Sequence, residues 1–224
     1  MTFTVEGLCH AYGRRSILAQ AQLRVESGEW VGIVGANGSG KSTLLSCLAG
    51  LIKPGQGRFL ADGADLFRDG ARRARLVGYV PQQPPLLEEL SARDNLLLWY
   101  SRPAMEKSLQ EGVLGMLGIG AFLRQRVKKL SGGMKKRLSI ACAMAHDPAL
   151  LLLDEPSAFL DPVGKQDVRR YLSAYCARGG AVLLVSHDPD ELKLCHRVYC
   201  LKNGVLTDYA FAGDADRLAE DLRV

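Results

Sequence analysis

The chain has 224 residues, 47% of them apolar and 24% charged, with a formal net charge of +5. That length suits one large α/β domain with a sizeable core, and the composition is ordinary for a globular fold. No apolar run approaches the roughly 18–20 residues of a membrane span, no basic-then-apolar leader marks secretion, and the dispersed basic residues read as solvated helix faces rather than a nucleic-acid surface.

Taken in chain order, residues 2–25 alternate apolar and polar, with Phe3, Val5 and Leu8 and then Ile17, Leu18, Leu23 and Val25 as the apolar positions. Turn signals at Tyr12-Gly13 and Ser27-Gly28 separate them, which predicts antiparallel strands. Trp30–Val34 then reads as a short buried strand, and Leu44–Ala49 as a helix ended by Gly50. Between them lies Gly35-Ala36-Asn37-Gly38-Ser39-Gly40-Lys41-Ser42-Thr43, the pattern G-x-x-x-x-G-K-[ST] in its required strand–turn–helix setting. Gly35, Gly38 and Gly40 free the backbone to aim successive N–H groups at an anion. The helix that starts near Lys41 adds its positive end to the same spot. Lys41 brings a mobile charge for β- and γ-phosphates, and the Ser42 hydroxyl suits Mg²⁺. The stretch therefore predicts a nucleoside triphosphate site. Tyr12, an aromatic in the upstream turn, reads either as satellite core or as a platform for a stacked purine.

Lys53-Pro54-Gly55 breaks the chain, Gly57–Ala61 reads as a strand, and Asp62-Gly63 as a turn. Leu76–Val80 reads as a further strand, followed by the extended Pro81-Gln82-Gln83-Pro84-Pro85. From about Ser91 to Arg126 the apolar spacing is helical, as in an insertion. Ser131-Gly132-Gly133 opens the next helix. Met134, Leu138, Ala141 and Ala145 form its apolar face, and Lys135, Lys136 and Arg137 are expected to face largely away. Ser131 suits an N-cap. The paired glycines cost helix propensity and leave room for either a plain cap or an approaching anion.

Leu150–Leu153 is apolar enough to need cover on both faces, and it ends in Asp154-Glu155. Carboxylates at such a strand end lie where open α/β sheets bind ligands. Asp161-Pro162 starts a helix. Ala181–Val185 is another buried strand, ending in Ser186-His187-Asp188. Arg197–Leu201 meets a hairpin at Asn203-Gly204, and a short amphipathic tail closes the chain. The six cysteines (Cys9, Cys47, Cys142, Cys176, Cys195 and Cys200) form no C-x-x-C pair, and Cys195, His196 and Cys200 fit no common zinc spacing. Buried, reduced thiols are expected.

With Lys41, Asp154, Glu155 and His187 on parallel strand ends, the chain closely resembles the ATP-binding cassette (ABC) ATPase family from about Val5 to Gly204. Leu130-Ser131-Gly132-Gly133 before a basic helix resembles the family's signature and separates it from kinases and GTPases. The resemblance implies an α/β phosphate-loop NTPase core with a mainly parallel sheet, an N-terminal antiparallel β subdomain and an inserted helical subdomain. It implies one domain over 1–224, with 1–83 and 147–224 forming the core and β subdomain and about 84–146 the helical part. ATP and Mg²⁺ are the implied ligands. Tyr12 would stack on the adenine; Gly35, Asn37, Gly38, Ser39, Gly40, Lys41, Ser42 and Thr43 would hold the phosphates. Ser42, Gln82 and Asp154 would serve the metal, and Gln82 would also reach the attacking water, although Gln83 is adjacent. Glu155 would act as general base and His187 would contact the γ-phosphate. Ser131, Gly132 and Gly133 would reach the ATP of a second subunit, with Asp161 in the loop between subunits. Phe159 departs from the small residue usual in that loop.

The same resemblance implies the ATPase of a transporter, at the inner face of the cell membrane beside a separate membrane-spanning permease. Leu86, Leu87 and Leu90 would line the groove for that partner, or belong to the subdomain core. Met134-Lys135-Lys136-Arg137 leans toward the exporter branch, since importers more often carry glutamine at the Met134 position. The rivals are an importer ATPase, and a non-transport cassette acting on nucleic acid or ribosomes. The latter usually has two cassettes or a coiled-coil insertion, so no nucleic-acid partner is expected.

Overall fold

A computed structural model describes residues 1–158 and 160–222; Phe159 and its departure from the family pattern lie outside the described residues. β1 (Thr2–Tyr12) and β2 (Arg15–Glu26) pair antiparallel across the expected turn. β3 (Trp30–Val34) runs into the phosphate loop and α1 (Lys41–Ala49), and β4 (Gln56–Ala61) returns to pair with β1. β5 (Ala64–Asp65) completes a four-stranded sheet in the order β2-β1-β4-β5.

One helix was not legible in the pattern. α2 (Gly70–Leu76) takes Leu76, expected in a strand, as its last residue, and β6 is only Val77–Val80. Asp69 caps that helix by accepting from the Arg72 amide at 2.8 Å, but α2 buries no residue and so lacks an apolar stripe. The helical insertion is built of short pieces: α3 (Ala92–Leu97), α4 (Arg102–Glu111) and α5 (Val113–Met116), followed by 3₁₀ turns at Ile119–Phe122 and Val127–Lys129. α6 (Gly132–Ala143), β7 (Leu150–Asp154), α7 (Pro162–Ala177), β8 (Ala181–Val185) and α8 (Pro189–Leu192) come next. β9 (Arg197–Lys202), β10 (Val205–Asp208) and α9 (Ala215–Asp221) finish the order.

The second sheet has six strands in the order β10-β9-β3-β8-β7-β6, parallel except for the β9–β10 hairpin. Period-two alternation splits its side chains between two cores. Leu151, Leu153, Val182 and Leu184 pack with α7 and the helical insertion. Leu150, Leu152, Leu183 and Val185 pack with α1 and the antiparallel sheet. Each leucine buried in this way contributes about 1.5–3 kcal/mol. Covering both faces leaves the C-terminal ends of β3, β7 and β8 as the open rim, and the chemistry-bearing residues lie there.

α6 corrects one expectation. Of its three basic residues only Lys135 reaches outward, to Glu88 at 2.6 Å. Arg137 packs over the Phe122 ring and donates to the Leu117 carbonyl. Lys136 is 1% exposed. A helix wedged between a sheet and an insertion has two faces to cover, so the single-stripe reading does not apply. The cysteines are all free, but only Cys47 and Cys176 are buried outright and the other four are half-buried.

Candidate functional site

β3 is buried along its whole length between β8 and β9, so the turn after it is held at the rim of the sheet. Gly38 and Gly40 sit at φ +76° and +107°, where a side chain is strained. A Cβ on Gly40 would also lie 2.7 Å from Ile17 Cγ2. Gly40 leaves the first turn of α1 without a side-chain cap, so its amide groups are available to an anion. Lys41 lies beneath the loop and donates to the carbonyls of Gly35 at 2.6 Å and Ala36 at 3.0 Å. Burial lowers its pKa, against the opposing pull of Glu155 and Asp154.

A cavity of about 310 Å³ opens beside this loop. Asn37, Gly38, Gly40, Lys41, Ser42 and Thr43 line one side, and Gln82, Asp154, Glu155 and His187 line the other. Gln83 is not among the lining residues. Asp154, at the end of β7, is 3% exposed. Glu155 follows at φ +50°, and its amide donates to the Val185 carbonyl at 3.0 Å, which ties the ends of β7 and β8 together. A glutamate held in the left-handed region is strained, and such positions cluster at functional sites. Burial first, and then the charges of Glu191 and Asp154, push the Glu155 carboxyl up to about 7.

His187 Nε2 lies 3.6 Å from Glu155 Oε1. Burial and the Lys41 charge lower its pKa, which favours the neutral ring. Ser186 Oγ beside it donates to the buried Glu191 and accepts from the Asp188 amide, so the backbone on both sides of His187 is fixed.

The donors of Ser42, Gln82 and Asp154 are a hydroxyl, an amide and a carboxylate. An all-oxygen set with one acid suits a hard divalent ion that keeps water and substrate oxygens as its other ligands. No group of three or more His, Cys, Asp or Glu that could hold a metal occurs among the described residues. Mg²⁺ fits the residues present.

The other expected residues lie away from this cavity. Tyr12 ends β1, 53% exposed and edge-on to His10. Gly35 and Ser39 are not among the lining residues. A Cβ on Gly35 would lie 2.6 Å from the Leu201 carbonyl oxygen, and Ser39 donates its amide to the Ala36 carbonyl. Ser131 caps α6 by accepting from the Met134 amide at 3.2 Å. Ser131 and Gly132 are exposed and Gly133 is buried, and none of the three lines the cavity. Asp161 caps α7 through the Gly164 amide at 2.6 Å.

Sequence reasoning missed two residues. Arg15, at the start of β2, lines the cavity; it belongs to no motif, and only the β1–β2 turn carries it there. Lys136 donates to the carbonyls of Pro81, Gln82 and Asp154, and its helical position had placed it outside.

A family model described as ABC transporter matches residues 18–158. The lipopolysaccharide export system ATP-binding protein LptB of Acidithiobacillus ferridurans is 34% identical over 96% of this chain and 91% of its own. The Nod factor export ATP-binding protein I of Bradyrhizobium diazoefficiens is 37% identical over 91% of this chain and 68% of its own. Among solved structures, a dimeric ATP-binding cassette in a post-hydrolysis state with ADP and Pi is 28% identical. It covers 95% of this chain and 100% of its own, with a TM-score of 0.83.

Proposed function

The chain belongs to the ABC transporter family and is an ATP-binding cassette ATPase, and from that premise we propose that it powers export through a separate membrane-spanning partner. The observation that carries the reading is the convergence of Lys41, Ser42, Gln82, Asp154, Glu155 and His187 on one cavity. Lys41 and the amides of the phosphate loop bind and orient the triphosphate. Ser42, Gln82 and Asp154 hold Mg²⁺, which when bound neutralises charge on the phosphate oxygens. Glu155, with its carboxyl raised toward neutrality, takes the proton of the attacking water. His187 donates to the γ-phosphate. Tyr12, exposed at the end of β1, stacks on the adenine.

The signature lies outside the cavity, so its ligand comes from a second copy of the chain. Two subunits close head to tail, and Ser131, Gly132 and Gly133 of one reach the γ-phosphate held by the other, with Asp161 at the seam. The exposed start of α6 and the dimeric form of a structural neighbour support this. A γ-phosphate contacted from both sides favours the closed state, and its hydrolysis releases that state. Relatives named for lipopolysaccharide export and Nod factor export support the export direction. No helix among the described residues is long and apolar enough to cross a membrane. Leu87 and Leu90 are exposed beside the Gln82 loop as apolar lining for its docking, at the inner face of the membrane.

The test is Glu155→Gln. It should bind Mg-ATP, lose about 10²-fold or more in turnover and accumulate as a dimer in light scattering. A monomeric variant that still turns over at the wild-type rate would refute both the base and the closure.

A further inference from the structure

Lys136 is the one ammonium group in the described chain that is 1% exposed, and its three acceptors come from three different places. It donates to Pro81 O at 3.1 Å, Gln82 O at 3.0 Å and Asp154 O at 3.3 Å. The first two belong to the loop that carries Gln82 into the cavity, the third to the strand end that carries Asp154 and Glu155. The side chain itself rises from the second turn of α6, whose N-cap is Ser131. All three donor positions of an ammonium group are used, and all three acceptors are backbone. The backbone of the Gln82 loop is therefore located relative to β7 by a side chain of the signature helix.

We propose that Lys136 is a positioning residue for ATP hydrolysis, clipping the Gln82 loop and the Asp154-Glu155 strand end to the signature helix so that a displacement of that helix is passed to the Gln82 side of the cavity. The inference rests on the site reading above, in which Gln82 serves the metal. A charge this deep is costly unless fully bonded, and a methionine of similar length would fill the same volume without donors. A group kept only for packing has no need of the ammonium. A group that fixes two loop carbonyls and a strand-end carbonyl at once does. Supporting partners of this kind change metal affinity or activity by about 10–100-fold when lost.

The experiment compares Lys136→Met, Lys136→Gln and Gln82→Ala, alone and combined, in ATP turnover, Mg²⁺ dependence, ATP affinity and thermal unfolding. Lys136→Met should lower kcat roughly 10–100-fold and raise the Mg²⁺ concentration for half-maximal rate, with ATP affinity within about twofold because Lys41 and the phosphate loop are untouched. Lys136→Gln, which keeps two neutral donors, should fall between. Added to Gln82→Ala, Lys136→Met should cost little more, because both act through one loop. A folded Lys136→Met with wild-type kcat and Mg²⁺ dependence overturns the proposal. So does full additivity with Gln82→Ala. Should the methionine variant not fold, Lys136→Gln decides in the same way, wild-type kcat counting against. Gln82→Ala at wild-type kcat would instead overturn the site reading on which the inference stands.

Discussion

Gly40 shows how little freedom single positions have at this site. Its φ of +107° and the 2.7 Å approach that a Cβ would make to Ile17 Cγ2 are two independent objections to a side chain. Gly40→Ala should cost on the order of 1–2 kcal/mol, lower the thermal midpoint by a few degrees and weaken ATP binding at least tenfold. A thermal scan and an ATP titration check this; wild-type values in both would mean that the loop relaxes without loss. Glu155 carries a different strain. It pairs a left-handed backbone with a half-buried carboxyl raised to about 7. Its identity was legible beside Asp154, but its backbone state and its neighbour Glu191 were not, since both follow from the packing of β8 and α8 against β7.

At the scale of elements, α7 and α8 are joined through Asp188. Its Oδ2 accepts from Lys165 Nζ at 2.8 Å, Arg169 Nη2 at 3.2 Å and Ser157 Oγ at 3.4 Å, while Oδ1 caps α8 through the Asp190 amide. Burial works to raise the Asp188 pKa. The hydrogen bonds from Lys165 and Asp190 and the two cationic charges outweigh it, so the carboxyl stays below its ordinary value of 3.8. A folded pKa below the unfolded one contributes stability above the unfolded value and loses it as pH falls through the folded value. Asp188→Asn should therefore be less stable by about 1 kcal/mol near pH 7, the figure kept small because Lys165 is partly exposed. The gap should narrow below 3.8. Urea unfolding of both proteins near pH 7 and near pH 3 measures it; an equal gap at both would remove the charge from the explanation. The strands β3, β7 and β8 were legible as apolar runs because a strand buried on both faces leaves no other pattern. α2 was not, since it buries nothing.

For the molecule as a whole, two cores on either side of one sheet hold it together without cross-links. Its six cysteines are all free, and burial raises the Cys47 and Cys176 thiols to about 11 and about 12. Reductant should leave the unfolding midpoint unchanged. A thiol reagent should label all six cysteines in denaturant, with Cys47 and Cys176 protected in the native protein. A midpoint that falls with reductant would show a bond where none is expected.

The sequence by itself determined the phosphate loop, the acidic and histidine strand ends and the signature, because each depends on residue type at fixed local spacing. From these the family and the α/β fold followed. Only the tertiary structure decided that Gln82 lines the cavity while Gln83 does not, that Arg15 stands beside the phosphate loop, and that the signature opens away from it. It also decided that Lys136 points inward. Helical periodicity describes one face against one core, and α6 is enclosed by the sheet on one side and the insertion on the other. Which of its faces is inside depends on elements more than fifty residues away, such as the Gln82 loop it bonds.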